Sequence, residues 1–173
     1  MPRLEDKGRA AERRRVGHRR CETARLVVRE GGKAVLADRD EAKGRAPRRA
    51  SSAPRRCSCR LDVTQEASWQ QAVAATTARF GGLHGLLNAA GVGVRNSIED
   101  CTLEEYRRVN DINALGTFLG CKAAIPAMKQ SAMTHVGGGS IVNISSVLGL
   151  RGSSQAMAYC ASKGRGAARS PRT

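Results

Sequence analysis

Aromatic side chains are nearly absent. Phe, Trp and Tyr make up 3% of the 173 residues, too few for a surface that reads nucleic acid by stacking bases. No apolar run reaches the ~18 residues a membrane-spanning helix needs, and the N-terminus lacks the apolar core of a signal peptide. A soluble cytoplasmic chain with no membrane partner is the resulting expectation. Histidines are sparse and scattered at His18, His84 and His135, so no metal cluster is expected. The six cysteines (Cys21, Cys57, Cys59, Cys101, Cys121, Cys160) form no disulfide framework. Cys57-x-Cys59 lacks a second ligand pair at zinc spacing, and free thiols are expected throughout.

Acidic residues are also scarce, at 15 against 30 basic ones, giving a net charge of +15 and a pI near 10.8. Such a balance ordinarily points to nucleic acid or an anionic surface. Here the charge is concentrated. Three Arg-rich segments, 8–21, 44–59 and 164–173, hold fifteen of the basic residues, counting Arg60 at the margin of the second, and a single acid, Glu12. The remainder carries 15 basic and 14 acidic residues, a net of +1. No zinc-finger or helix-turn-helix spacing accompanies the arginines. Nucleic-acid binding is therefore the alternative from another functional class, with no specific nucleic-acid partner expected.

Between those segments the pattern alternates helix and strand. Residues 24–30 continue a first helix, 33–37 are an apolar strand, 68–80 a helix closed by Gly81-Gly82, and 84–89 the next strand. Thr102 with Glu105 makes a capping box for a long helix reaching about residue 130. Val109, Ile112, Leu119 and Ala123 fall on its inner side. Gly137-Gly138-Gly139 turns the chain into a strand over 140–145. Continuous apolar strands between helices predict an α/β fold with a doubly wound parallel sheet, in one domain spanning 1–173.

Ser146, Tyr159 and Lys163 carry the chemical signal. Tyr159 and Lys163 are four apart and share a helix face, and Ser146 lies thirteen residues before the tyrosine, just after the strand. Leu86-Leu87-Asn88-Ala89-Ala90-Gly91 is an apolar strand running into a small-residue turn, Asn113 sits in the long helix, and Asp38 and Asp62-Val63 end or follow strands. In this order the motifs resemble the short-chain dehydrogenase/reductase family. The resemblance implies a Rossmann-like sheet and hydride transfer between a secondary alcohol or ketone and a nicotinamide cofactor. Tyr159 would be the general acid/base, Lys163 its cationic neighbour, Ser146 the holder of the substrate oxygen, and Asn113 the anchor of a proton-relaying water. A free phenol ionises near pH ~10, so a tyrosine base needs such a cation. The cofactor-binding set would be Asp38, Asp62, Val63, Asn88, Ala89, Gly91, Tyr159 and Lys163. An acid at the end of the second strand favours the ribose diol and hence NAD over NADP, a preference that Arg39 softens. The resemblance also implies a homo-oligomer built on the long helix and the Tyr159 helix. Around 109–159 it leans towards dehydrogenases of hydroxysteroids or cyclic alcohols.

One part of the pattern is missing. Where a first strand and glycine-rich turn belong, the sequence reads Gly8-Arg9-Ala10-Ala11-Glu12-Arg13-Arg14-Arg15-Val16-Gly17-His18-Arg19. With CGN arginine codons, a reading frame one base later permits Val-Ala-Leu-Leu-Ser-Gly-Gly-Gly-Ser-Gly-Ile-Gly, a strand and glycine turn. The expectation is a compensated frameshift over 8–21, a second over 44–59, and a third that truncates the chain after Lys163. The first strand and the C-terminal strands would then be lost or damaged. A working enzyme competes with a catalytically inactive, frameshifted remnant.

Overall fold

The computed structural model describes residues 8–12, 22–40, 56–133 and 138–165, with the backbone alone for 8–12 and for residue 165. The expectations for 13–21, 41–55, Gly137 and 166–173 fall outside the described residues. Among the described residues five strands form one parallel sheet: β1 Gly8–Glu12, β2 Lys33–Asp38, β3 Arg56–Arg60, β4 Gly85–Asn88 and β5 Ser140–Asn143, in the spatial order β3-β2-β1-β4-β5. The helices are α1 Glu22–Arg29, α2 Glu66–Phe80, α3 Leu103–Asn110, α4 Gly116–Ala132 and α5 Met157–Arg165. A π-helical turn, Asp111–Leu115, joins α3 to α4 without a break, so the single long helix expected from the pattern is present with one widened turn. The α/β, doubly wound parallel architecture is as the sequence indicated. Strand order reverses beside β1, and ligands of such sheets bind at that crevice.

Two strands correct the sequence reading. No strand was expected in 8–20, yet Gly8–Glu12 lies in mid-sheet, Arg9 paired with Ala34 on β2 and with Gly85 on β4. The ladder is built from main-chain N–H and C=O groups, which every non-proline residue carries. A strand position flanked by β2 and β4 can therefore be filled without β-forming side chains. Residues 56–60 likewise form β3 from Arg-Cys-Ser-Cys-Arg. Being at the sheet edge, β3 tolerates charge: Arg60 is exposed, while Cys59, on the opposite face by strand alternation, packs against the core.

Side-chain alternation along β2 sets the two layers. Ala34 and Leu36 meet Ala24 and Val27 of α1. On the other face Ala37, Leu61, Leu83 and Leu86 meet α2 and α4 through Trp69, Leu119, Ala124 and Met128. Val109 is fully buried and Leu119 nearly so, with Ile112 and Ala123 partly buried against the same core. Gly81 ends α2 at φ 82°, its N–H bonded to Thr77 O at 2.8 Å, a left-handed cap that glycine adopts without strain. At the start of α3 the expected capping box is complete. Glu105 N–H donates to Thr102 Oγ1 and Thr102 N–H donates to Glu105 Oε2, both at 3.1 Å. The Thr102 N–H is the main reason the Glu105 carboxyl is held below the usual range.

Trp69 governs how closely α4 approaches the sheet. Its indole is 3% exposed and donates to Val63 O at 3.1 Å. A Cβ on Gly120 would stand 2.8 Å from Trp69 Cη2 and 2.6 Å from Asn88 Oδ1. Gly120→Ala therefore sets a helix-propensity gain of about 1 kcal/mol against overpacking of about 1–3 kcal/mol. We expect a net loss of stability, read as a lower denaturation midpoint with an unchanged m-value.

Candidate active site

Four segments converge at the C-terminal ends of β4 and β5. The turn Ala89-Ala90-Gly91-Val92-Gly93 leaves β4, the π-helical turn carries Asn113, Ile144-Ser145-Ser146 leaves β5, and α5 carries Tyr159, Ser162 and Lys163. A π turn inserts an extra residue into a helix and often marks a functional site. Asn113 occupies it at 2% exposure. Its Nδ2 donates to Val92 O and to Ser162 Oγ, each at 2.8 Å, and its Oδ1 accepts from Val92 N at 2.8 Å. The side chain expected to anchor a water is thus committed to protein, and its main-chain oxygen accepts from Thr117 Oγ1 at 2.8 Å.

Lys163 is 4% exposed, and its ammonium donates to Ile144 O at 2.8 Å. A buried cation needs such partners to offset desolvation. Gly91 lies against both Asn113 and Lys163: a Cβ there would stand 3.3 Å from Asn113 Oδ1 and 3.5 Å from Lys163 Nζ. Tyr159 is half-buried, with its ring 3.4 Å from the place a Gly93 Cβ would take. Ser146 Oγ accepts from Leu148 N at 3.2 Å and caps a short 3-10 turn, Val147–Gly149. That turn packs directly on α5, because a Gly149 Cβ would fall 2.7 Å from the Lys163 carbonyl carbon and oxygen. Asn113, Gly91 and Lys163 are therefore brought together, the Tyr159 ring packs on the neighbouring Gly93, and Ser146 stands at the turn that packs on α5.

Beside them a cleft of about 1000 Å³ runs along the ends of β2 and β4 to α3. Asp38, Asp62, Val63, Ala90 and Gly91 line it, with Arg39, Arg107 and Arg108. Asp38 Oδ1 accepts from Asp40 N at 3.0 Å, and Asp62 Oδ1 accepts from Thr64 N at 3.1 Å and Thr64 Oγ1 at 2.8 Å. These bonds fix both carboxylates at the cleft wall. Two carboxylates, a glycine with little room for a side chain and an apolar Val63 suit the adenosine part of a dinucleotide. Where a glycine turn would take a pyrophosphate the sequence is the Arg-rich stretch, of which 13–21 lie outside the described residues.

Asn88 does not face this cleft. It is 3% exposed and points between β4, β5 and α4, with Nδ2 donating to Asn143 Oδ1 at 2.8 Å and lying 3.4 Å from Thr117 O and 3.6 Å from Cys121 Sγ. Burial in this polar cluster pushes the Cys121 thiol up. Ala89, Tyr159 and Lys163, also expected at the cofactor, do not line the cleft either. Sequence reading missed Val92, Thr117, Asn143 and Ser162. None stood out, because Val92 contributes only its main chain, and single hydroxyl and amide side chains such as Thr117, Asn143 and Ser162 leave no periodic signal.

Residues 20–168 match the family model described as enoyl-(acyl carrier protein) reductase. Trans-4-hydroxycyclohexanecarboxylate dehydrogenase of Sinomonas cyclohexanicum is 41% identical over 148 residues, covering 81% of this chain and 55% of that protein. The chain belongs to the short-chain dehydrogenase/reductase family. A 3-alpha-(or 20-beta)-hydroxysteroid dehydrogenase of Mycobacterium bovis is 42% identical over 139 residues, 80% of this chain and 51% of the relative. The crystal structure of a short-chain dehydrogenase/reductase from Burkholderia phymatum in complex with NAD superposes with a TM-score of 0.77 at 29% identity, over 94% of this chain and 57% of that one. The chain spans about half the length of the curated relatives it matches.

Asn113→Leu removes all three side-chain bonds and leaves Val92 N–H and C=O unpaired. Val92 is half-buried at the cleft, where water reaches part of its backbone, so against about 1–3 kcal/mol for each fully buried unmet group we expect a loss of about 1–3 kcal/mol in all, measured by denaturant unfolding of wild type and variant.

Proposed function

We propose that the chain is the nucleotide-binding and catalytic portion of an NAD-dependent oxidoreductase acting on a secondary alcohol or ketone. The observation that carries this reading is the buried Lys163, held on Ile144 O one helical turn from Tyr159, beside Asn113 and Gly91. The bound cofactor supplies the hydride acceptor or donor. In the oxidative direction Tyr159 takes the hydroxyl proton of the alcohol as its carbon gives up hydride, and in the reductive direction it returns that proton to the carbonyl oxygen. Lys163, held on Ile144 O beside Gly91, supplies a fixed positive charge one helical turn from that tyrosine. Ser146 donates to the substrate oxygen and orients it, and Asn113 holds the β4 turn against α5.

Asp38 at the end of β2 accepts from a ribose diol and repels a 2′-phosphate, which supports NAD, with Arg39 beside it leaving NADP the lesser choice. The ring-bearing alcohols named in the relatives, a hydroxycyclohexanecarboxylate and a hydroxysteroid, support a cyclic secondary alcohol as substrate class. Among the described residues no helix is long and apolar enough to cross a membrane, and we place the protein in the cytoplasm.

A second reading is favoured by β1. Arg9 pairs with Ala34 on β2 and Gly85 on β4, a mid-sheet place where the reading frame one base later permits Val-Ala-Leu-Leu. The family match begins at residue 20, past most of the first Arg-rich segment. Under this reading 8–21 and 44–59 are translated out of frame, and Ser146, Tyr159 and Lys163 are relics of a lost activity. Sequencing the coding DNA on both strands separates the two. A single-base correction that yields a glycine turn makes the corrected frame the protein to assay, whereas DNA offering no glycine turn in the neighbouring frame ends the frameshift reading. For the enzyme reading, NADH formation from a panel of cyclic secondary alcohols should fall about 10²–10⁴-fold in Tyr159→Phe. Absence of turnover in wild type, or equal turnover in the variant, refutes it.

A further inference from the structure

Ser162 stands between the tyrosine and the lysine of α5 and is fully buried, at 0% exposure. Its hydroxyl has two partners on different elements. It accepts from Asn113 Nδ2 at 2.8 Å and donates to Tyr159 O at 2.8 Å. Asn113 in turn grips Val92 through both of its amide functions, and the adjacent Gly93 lies against the Tyr159 ring. The contacts close a ring: Asn113 to Ser162 to the Tyr159 main chain, and Asn113 to Val92-Gly93 to the Tyr159 side chain.

We propose that Ser162 is a positioning residue for the acid/base tyrosine, coupling the π-helical Asn113 to the first turn of α5. This rests on the oxidoreductase reading for its consequence in turnover, though not for its geometry. An alanine at 162 leaves Asn113 with Val92 alone and removes the bond that ties the Asn113 node to the Tyr159 backbone. The Tyr159 ring then keeps its Gly93 contact but loses the fixed distance between that contact and its own helix. Displacements of about 1 Å at a reacting group cost up to about 10²-fold in rate.

The test uses the full chain labelled with fluorotyrosine, whose two tyrosines, Tyr106 and Tyr159, give two fluorine NMR lines. In Ser162→Ala the Tyr159 line should broaden or split while the Tyr106 line on α3 stays unchanged. The kcat for a cyclic alcohol should fall about 10- to 100-fold, with the KM for NAD changed less than about 2-fold. A purely structural role would lower the melting temperature and leave the Tyr159 line sharp and kcat per folded molecule intact, and that result overturns the proposal. Should wild type turn over no alcohol, the oxidoreductase reading fails, while the fluorine lines still decide the role of Ser162. Should Ser162→Ala not fold, Ser162→Cys keeps the side-chain shape, slightly enlarged, with a weaker hydrogen-bonding group and is read in the same way.

Discussion

The site depends on one buried amide. Asn113 is the point at which the β4 turn, the long α3–α4 helix and α5 are fastened together, by three side-chain hydrogen bonds of 2.8 Å. A carboxamide can do this because it donates and accepts from one planar group. Nδ2 reaches a main-chain carbonyl and a hydroxyl, while Oδ1 takes the N–H of the same Val92 whose carbonyl is bonded. A purely apolar residue there would leave the turn's backbone without its protein partner. The widened turn at Asp111–Leu115 belongs to the same arrangement, since it is the stretch of the long helix that carries this amide.

Everything chemical then follows from what the node holds still. Lys163 sits close to Gly91 because the β4 turn is held close to α5, and its ammonium is satisfied by the carbonyl that leaves β5. The 3-10 turn after Ser146 packs on the Lys163 backbone with no room for a side chain at Gly149. Beneath the site a second polar cluster joins Asn88, Asn143, Thr117 and Cys121 across β4, β5 and α4. α4 approaches closely at Gly116 and Gly120, against Val63 and Trp69, and Val63 in turn lines the cleft.

The motifs from Asp38 to Lys163 were legible because each combines a residue type with a position at the end of a strand or on one helix face, and such positions follow from local periodicity. The capping box at Thr102 and the glycine stop at Gly81 were legible for the same reason. The strands at 8–12 and 56–60 were not. Their side chains carry no β signal, and their place in the sheet comes from main-chain partners on β2 and β4, which are remote in sequence. Asn88 was read as a cofactor contact from its place in the small-residue turn. In the structure its side chain lies against Asn143, its partner in the β4–β5 register.

The sequence by itself determined the family, the α/β alternation and the confinement of excess charge to three segments. All of these are local properties of residue type and spacing. Only the tertiary structure decided that Asn113 spends its side chain on protein, that Ser162 links it to Tyr159, and that Lys163 rests on Ile144 O. Those are contacts between segments tens of residues apart, and they are set by how the strand ends and helices pack, which no local pattern encodes.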